Sequence, residues 1–176
     1  MSVNMKKTHN KYLKKFRQKY TPLPSSVWKN PLHFIACGFG VGAIPFLPGT
    51  FGTLLGIPII LLLTHFSTIT YGIICTLLFF LGILLTGKTN HDFKTEDHPA
   101  VVFDEVATFP VVLLGLPVNW QYLLMGFVLF RIFDILKPWP ISWVDENIHD
   151  GFGVMLDDLL AALATLAVLH AIYYFI

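Results

Sequence analysis

DEVATFPVVLLGLPVNWQYLLMGFVLFRIFDILK, residues 104–137, is the stretch that decides how this chain folds. It begins with an acidic pair, Asp104 and Glu105, and carries a further acid, Asp134, near its end. Residues 115–119, GLPVN, interrupt the apolar run between them, and glycine and proline together terminate helices. A single crossing would leave the acids of the two ends on opposite faces of a membrane. The interruption instead predicts a helical hairpin that returns the chain to the face it left.

Four other apolar runs surround this stretch, and two of them form a second candidate hairpin. The runs over residues 53–66 and 69–87 are separated by a short polar step at 65–68, which predicts a turn. A further run covers residues 32–47. The run over 153–176 is uninterrupted and, at ~1.5 Å per residue, is long enough to cross a ~30 Å hydrocarbon core. We therefore predict an all-α fold, an integral membrane helical bundle with two helical hairpins and a C-terminal spanning helix.

The composition agrees with a bilayer as the solvent of this protein. Of the 176 residues, 55% are hydrophobic and only 13% are charged, with a mean hydropathy of +0.65. Soluble domains carry roughly a quarter of charged residues. Disorder, fibrous repeats and a basic nucleic-acid-binding protein are therefore excluded, and we expect the outside of the bundle to be as apolar as its core.

Charge is sharply partitioned along the chain. Residues 1–29 hold eight of the 12 bases and no acid, whereas the rest holds four bases and all 11 acids, a balance of 4 − 11 = −7. We divide the chain into a basic N-terminal arm, residues 1–30, and a membrane-embedded domain, residues 31–176. The arm suits anionic headgroups, and a disordered tail is the alternative reading. With both hairpins formed, every base falls on one face, which the positive-inside rule makes cytoplasmic together with the N-terminus.

The acids cluster in a way that predicts a metal site on that face. Carboxylates near hydrocarbon are costly and call for partners or a function, and adjacent acids repel unless a cation lies between them. Oxygen ligands without thiolates favour a hard cation, Mg²⁺ above Ca²⁺ or Mn²⁺. The alternative is a set of helix caps and surface ion pairs, with the last two acids in the first turn of the final helix. The candidate metal ligands are Asp104, Glu105, Asp134, Asp157 and Asp158, and Asp145 is a further acid of the cluster.

Two other motifs predict phosphate binding. Arg131, Asp134 and Lys137 recur at i, i+3 and i+6, which places them on one helical face before Pro138; an ion-pair ladder is the alternative reading. The second motif is PGTFGT, residues 48–53, before an apolar helix, where small residues expose backbone N–H groups to an anion. A capping Thr53 and a close-packing Gly52-x-x-x-Gly56 face explain that motif equally well. Its candidate phosphate-binding residues are Gly49, Thr50, Gly52 and Thr53.

The sequence lacks the motifs of several phosphatase classes, which limits the possible nucleophile. Cys37 and Cys75 lie in apolar surroundings and neither starts a Cys-x5-Arg loop, so a thiolate phosphatase is excluded and both are expected to be packing residues. Neither an Asp-x-Asp motif nor a Ser-Gly-His motif occurs. His149 lies within the densest acidic motif and is a candidate acid–base group, whereas His91 and His98 are expected to be solvated loop residues. Metal-activated water remains as the nucleophile.

The motifs resemble the phosphatidylglycerophosphatase A family over residues 38 to 165. The specific strings are RIFDILKPWPISWVD, residues 131–145, and GFGVMLDD, residues 151–158, joined by the acidic pair at 104–105 and by the weaker PGTxGT. The resemblance implies an all-helical lipid phosphatase of the bacterial inner membrane that converts phosphatidylglycerophosphate to phosphatidylglycerol with Mg²⁺. Two positions depart from the family pattern, because Thr108 and Asp150 stand where the family usually has glycine.

These inferences combine into one mechanism and two alternatives. We expect a Mg²⁺-dependent phosphomonoesterase that acts on a phospholipid in the cytoplasmic leaflet, with Arg131 and Lys137 neutralising the phosphate and a carboxylate or His149 positioning the attacking water. A cation or proton transporter would also use intramembrane acids, but residues 1–91 and 159–176 contain none. A CDP-alcohol phosphotransferase would need an Asp-Gly-x2-Ala-Arg signature that is missing after Asp150. The candidate catalytic residues are Asp104, Glu105, Asp134, Asp145, His149 and Asp158.

Overall fold

The protein is described by a computed structural model that covers residues 23–175. Most of the basic arm, residues 1–22, therefore lies outside the described residues. Between residues 23 and 175 all regular structure is helical, and no strand occurs. Short 3₁₀ helices occupy Ser25–Trp28, Gly38–Ala43 and Phe109–Leu113. The α-helices, in chain order, are α1 (Pro31–Ala36), α2 (Pro48–Leu63), α3 (Thr68–Asp92), α4 (Phe103–Thr108), α5 (Trp120–Leu136), α6 (Ile141–Asn147) and α7 (Gly151–Phe175).

Helices α3 and α7 are long and apolar enough to cross a membrane. Each has 25 residues, about 37 Å at ~1.5 Å per residue, which exceeds a ~30 Å hydrocarbon core. Only 22% of the most apolar window of α3 is buried inside the protein, whereas a soluble core helix would be mostly covered. The outward face of α3 is therefore apolar surface that suits lipid.

The first predicted hairpin is confirmed, and its turn follows from a helix cap. Helix α2 ends at Leu63, and the side chain of Ser67 accepts a hydrogen bond from the Thr70 amide at the start of α3. This side chain satisfies one of the free N–H groups of the first turn. Contacts of small residues then bring α3 against α7, since a Cβ on Gly151 would lie 2.5 Å from the Ile83 carbonyl oxygen.

The second hairpin forms with an unequal first arm. That arm consists of α4 and the 3₁₀ helix Phe109–Leu113. All five residues of the 3₁₀ helix are buried within the bundle, as are most residues of α4. Pro110 has no N–H to continue the α-helix, and Gly115 turns the chain with a φ of 77°. The Tyr71 hydroxyl donates to the Pro110 carbonyl at 2.7 Å, which satisfies an acceptor of this irregular segment. The arm is thus enclosed by protein and only α5, the second arm, presents an apolar face outward.

Aromatic residues mark both ends of the bundle. Each of the four tryptophans is exposed, and Trp28, Trp139 and Trp143 lie at the end where α5 finishes and α7 begins. Trp120 lies at the opposite end, where the rings of Tyr122 and Tyr173 are 6.2 Å apart. Exposed tryptophan and tyrosine at two levels are typical of the two membrane interfaces.

Candidate active site

Three carboxylates, of which Asp104 and Asp158 are buried and Glu105 is partly buried, meet at the centre of the predicted acidic cluster. Asp104 and Glu105 lie in the first turn of α4, and Asp158 lies on α7. Each offers an oxygen within 4.8 Å of the others. We call Asp104, Glu105 and Asp158 the carboxylate trio. Helix α7 begins at Gly151, so Asp157 and Asp158 lie in its second turn, and the expectation that they occupy its first turn was wrong.

The carboxylate trio contains oxygen atoms that the described residues leave without partners. Asp104 Oδ1, Glu105 Oε2 and Asp158 Oδ2 are buried, and none accepts a hydrogen bond within residues 23–175. A buried acceptor without a partner costs free energy, and more when it is charged. Three neighbouring carboxylates that each keep a buried oxygen without a partner provide the kind of donor set that a hard divalent cation prefers.

The pKa shifts of the two acids of α4 also indicate a site that favours positive charge. Asp104 and Glu105 lie outside both spanning helices, and burial raises the pKa of each carboxyl. For Asp104 the negative charges of Glu105 and Asp158 raise the pKa further, well above its usual range. For Glu105, hydrogen bonding to Asp104 and the charge of Arg131 oppose the effect of burial. The cluster therefore favours either bound protons or a bound cation.

Arg131 joins this cluster to α5 and α2. Its Nη1 lies 2.8 Å from Asp134 Oδ2, 3.6 Å from Glu105 Oε1 and 3.4 Å from Thr53 Oγ1. The Nε atom is buried and has no acceptor among the described residues. The guanidinium therefore retains a donor that is not used among the described residues, and the structure brings Asp134 and Glu105 to the same guanidinium.

Lys137 departs from the predicted helical face. Helix α5 ends at Leu136, ahead of Pro138, and Lys137 adopts a left-handed conformation with a φ of 42°. Its Nζ therefore leaves the Arg131 face and contacts Asp157 Oδ2 and, at 2.9 Å, Asp145 Oδ1. Burial would lower the pKa of Lys137, but the charges of Asp157 and Asp145 raise it above its ordinary value. We call Lys137, Asp145 and Asp157 the lysine-centred group, and its lysine stays a cation.

The start of α2 lies directly against the carboxylate trio. A Cβ on Gly49 would be 2.0 Å from Glu105 Oε1, and a Cβ on Gly52 would be 2.8 Å from Val102 Cβ. Glycine is therefore required for this close approach. Thr50 lies between them in the first turn of α2, where its amide donates to the Leu47 carbonyl at 2.9 Å. Thr53 is not an N-cap, because α2 begins at Pro48 and the Thr53 hydroxyl donates to the Gly49 carbonyl at 2.9 Å.

The candidate histidines do not join the carboxylates. His149 is exposed between α6 and α7 and makes no hydrogen bond within the part of the chain that the structure describes. The expectation of a solvated His98 was wrong, since its side chain is buried and its Nδ1 accepts from the Ala100 amide at 3.1 Å. Burial lowers the pKa of His98, so its ring remains neutral and braces the loop before α4.

One neighbour of the site was not predicted from the sequence. Asp97, on the loop before α4, lies close enough for its charge to raise the pKa of both Asp104 and Glu105. In the sequence, the signal for this role was its position seven residues before Asp104.

The two departures from the family pattern have local structural roles. Thr108 donates its hydroxyl to the Asp104 carbonyl at 2.7 Å. Asp150 accepts from the Gly153 amide at 2.9 Å and caps α7.

The fold and the site define a helical membrane protein that holds carboxylates, an arginine and a lysine at one end of its bundle. Residues 34–173 match the family model of phosphatidylglycerophosphatase A. The chain therefore belongs to the phosphatidylglycerophosphatase A family, and it is a phosphatase that acts on a phosphate monoester.

Two similar proteins carry the name of this family, and a third carries the name of another lipid phosphatase. Phosphatidylglycerophosphatase A of Escherichia coli (strain K12) is 41% identical over 81% of this chain and 84% of its own length. Phosphatidylglycerophosphatase A of Haemophilus influenzae is 43% identical over 87% of this chain and 95% of its own. A protein named putative phosphatidylinositol-3-phosphatase, from Bacteroides thetaiotaomicron, is 39% identical over 72% and 84%. No solved structure matches the chain.

Proposed function

We propose that this protein removes the terminal phosphate of phosphatidylglycerophosphate, giving phosphatidylglycerol and inorganic phosphate, with Mg²⁺ as its cofactor. The observation that carries the proposal is the carboxylate trio, with three buried oxygens that have no partner among the described residues. The names of the Escherichia coli and Haemophilus influenzae relatives support the choice of substrate.

The residues present fit a hard divalent cation. Asp104, Glu105 and Asp158 would hold it, because each offers an oxygen within 4.8 Å of the others and each keeps a buried oxygen without a partner among the described residues. A bound Mg²⁺ supplies charge neutralisation at the phosphate and a bound water of lowered pKa. Asp97 adds negative charge beside these ligands, which favours a cation further.

Among the other residues of the site, Arg131 binds the phosphate and Lys137 positions a ligand of the cation. Arg131 is held by Asp134 at 2.8 Å, so its planar guanidinium is fixed in place, and its free Nε can donate to a phosphate oxygen. Lys137 holds Asp157, the neighbour of Asp158 in α7, and the Asp158 amide donates to Asp157 Oδ1 at 2.9 Å. Lys137 thereby positions the metal-binding turn of α7. A carboxylate positions the attacking water in this scheme, since His149 lies exposed on a loop.

We place the site on the cytoplasmic side of the bacterial inner membrane. The bases of the described chain lie at the site end of the bundle, whereas the turn after α2 and the start of α5 have none. This asymmetry supports the orientation through the positive-inside rule. The bases concerned are Lys29, Lys88, Lys94, Arg131 and Lys137.

A second candidate substrate follows from the Bacteroides thetaiotaomicron relative. Its name assigns it phosphatidylinositol 3-phosphate, which is also a phosphate monoester on a membrane lipid. Arg131 and a cation held by the trio would contact the phosphate of either lipid, so the choice depends on the rest of the headgroup. A transporter is disfavoured because the acids gather at one end and α7 has none after Asp158.

Phosphate release from reconstituted protein tests the proposal. The assay offers phosphatidylglycerophosphate, phosphatidylinositol 3-phosphate and phosphatidic acid, each with Mg²⁺ and with a chelator. We expect Mg²⁺-dependent release that is fastest from phosphatidylglycerophosphate, and Glu96→Gln, which changes an exposed acid, serves as the matched control. Release that persists with the chelator would refute the Mg²⁺ role, and a preference for phosphatidylinositol 3-phosphate would establish the second candidate.

A further inference from the structure

The segment that leads into α2 holds large apolar side chains in an unfavourable backbone conformation. Phe39 and Leu47 have φ values of 56° and 53°, in the left-handed region that disfavours residues with a Cβ. Both side chains are exposed, by 61% and 54%, and Phe46 between them is exposed by 77%. The Phe39 ring contacts that of Phe34, with centroids 5.8 Å apart, whereas the high exposure of Phe46 and Leu47 means that packing inside the protein does not account for their side chains. Strain of this kind is concentrated at functional sites.

The same segment continues directly into the site. Leu47 immediately precedes α2, and two residues later Gly49 touches Glu105 and lies beside Arg131. On α5, the two residues that follow Arg131 and Asp134, namely Ile132 and Ile135, are exposed apolar side chains. The polar groups between the start of α2 and the end of α5 are thus flanked by outward apolar side chains on both helices.

Exposure indicates which side of the site is open. Arg131 and Glu105 retain 14% and 13% of their side-chain exposure. Asp104 and Asp158 are more deeply buried behind them. The more accessible side of the site is therefore the one at Arg131 and Glu105, where the start of α2 and the end of α5 lie on either side, and we call this place the gap between α2 and α5.

The length of the helices places this gap below the headgroups. From Gly49 to Leu63 and from Asp134 to Trp120, α2 and α5 each extend about 21 Å beyond the site, at ~1.5 Å per residue. A hydrocarbon core is ~30 Å thick, so with Leu63 and Trp120 at the far interface and both helices upright, the site lies roughly 9 Å inside the apolar layer. A lipid already in the leaflet can reach that depth sideways, with its acyl chains remaining in the bilayer.

We propose that the phospholipid substrate enters sideways between the start of α2 and the end of α5, with its acyl chains lying on Phe46 and Leu47 on one side and Ile132 and Ile135 on the other. We call these four apolar side chains the rim. The occupant is a lipid with a phosphate monoester headgroup, matched to Arg131 by charge and to the rim by its acyl chains. This inference rests on the proposed function, because it assigns the acyl chains of that substrate.

The Leu47→Gly variant separates a lipid contact from a structural role. Glycine tolerates the left-handed conformation, so we expect an equal or higher Tm. Loss of the van der Waals contacts between the Leu47 side chain and an acyl chain is expected to lower kcat/KM for long-chain substrate in vesicles by about tenfold. The loss for a water-soluble short-chain analogue should be several-fold smaller, because such a molecule makes little use of the rim. Phe66→Gly, which removes an exposed side chain just beyond the other end of α2, is the matched control. It should not lower kcat/KM for either substrate. Equal losses on both substrates, or no loss on either, would overturn the proposal.

A photoreactive lipid tests the entry path without catalysis. We would use phosphatidylglycerophosphate with a diazirine in one acyl chain, and phosphatidylcholine with the same chain as the comparison. Crosslinks of the first lipid alone are expected at Phe46, Leu47 and Ile135, and crosslinks on the outer face of α3 would overturn the proposal. If the wild type crosslinks at the rim but releases no phosphate, the proposed function fails and the entry path stands. If it releases phosphate but crosslinks elsewhere, the entry path fails and the proposed function stands.

Discussion

Two groups of charged residues lie side by side at the end of this bundle, and they are satisfied in different ways. In the lysine-centred group, Lys137 contacts Asp157 and Asp145, so two acids share a protein cation. In the carboxylate trio, one oxygen of each acid has no partner among the described residues, although Glu105 also faces Arg131 at 3.6 Å. Acids that have a protein cation need no other partner, whereas acids without one mark the place for a ligand.

The largest expected effect is on catalysis, from the carboxylate trio. Asp158→Asn removes a proposed metal ligand while preserving shape, so we expect phosphate release to fall at least ~10³-fold. The Tm should stay the same or rise, because the variant removes a buried charge from a repulsive cluster. Phosphate-release assays and thermal unfolding in detergent measure the two effects.

Asp104→Asn should behave in the same way, and Glu96→Gln provides the control at an exposed acid. Near-normal activity in both trio variants would show that these acids are not ligands. A large fall in Tm would show that they stabilise the fold, and the distinction between the two groups would then fail.

The next effect is on stability, from the lysine-centred group. Lys137→Met leaves Asp157 buried without its cation, and breaking a buried pair in this way costs about 3–5 kcal/mol. We expect a lower Tm, with lower activity as a consequence of the displaced α7 turn. Thermal unfolding of the purified variant gives the measurement.

A double variant shows whether charge is the cause. Lys137→Met with Asp157→Asn removes both charges, so much of the lost stability should return. If the double variant is no more stable than Lys137→Met alone, packing of the lysine stem, rather than the ion pair, stabilises this region.

A smaller effect comes from the cation itself. At a concentration about 100 times its Kd, a ligand that binds only the folded state stabilises it by about 2.7 kcal/mol. We expect Mg²⁺ to raise the Tm of the wild type and of Asp145→Asn but not that of Asp158→Asn. An equal rise in all three proteins would place the cation away from the carboxylate trio.

Hydrophobic patterning predicted which acids share a face, but not how they pair. The interruption at residues 115–119 was sufficient to predict that Asp134 returns to the level of Glu105. The turn at 65–68 was sufficient to predict that Asp92, at the end of α3, returns to the level of Gly49. The pairing of Lys137 depends on one left-handed residue before Pro138, which turns its side chain from α5 towards α7. Periodicity carries no information on such a local reversal. Pro110 could have indicated that the first arm of the second hairpin is irregular, whereas its enclosure by other helices is a tertiary effect.

The smallest expected effect separates the members of the lysine-centred group from each other. Asp145 retains 32% of its side-chain exposure, whereas Asp157 retains 9%, and water screens the more exposed pair more strongly. Pairs near water contribute about 0.2–1 kcal/mol, so Asp145→Asn should lower the Tm only slightly. Because Lys137 keeps Asp157, the α7 turn stays in place and phosphate release should change by less than about threefold, which is a loss below ~0.7 kcal/mol. Asp157→Asn is the matched comparison, since it removes the buried partner of the same lysine and should cost clearly more stability. If Asp145→Asn instead abolishes activity with an unchanged Tm, Asp145 acts on the substrate or the water, and it belongs functionally with the carboxylate trio.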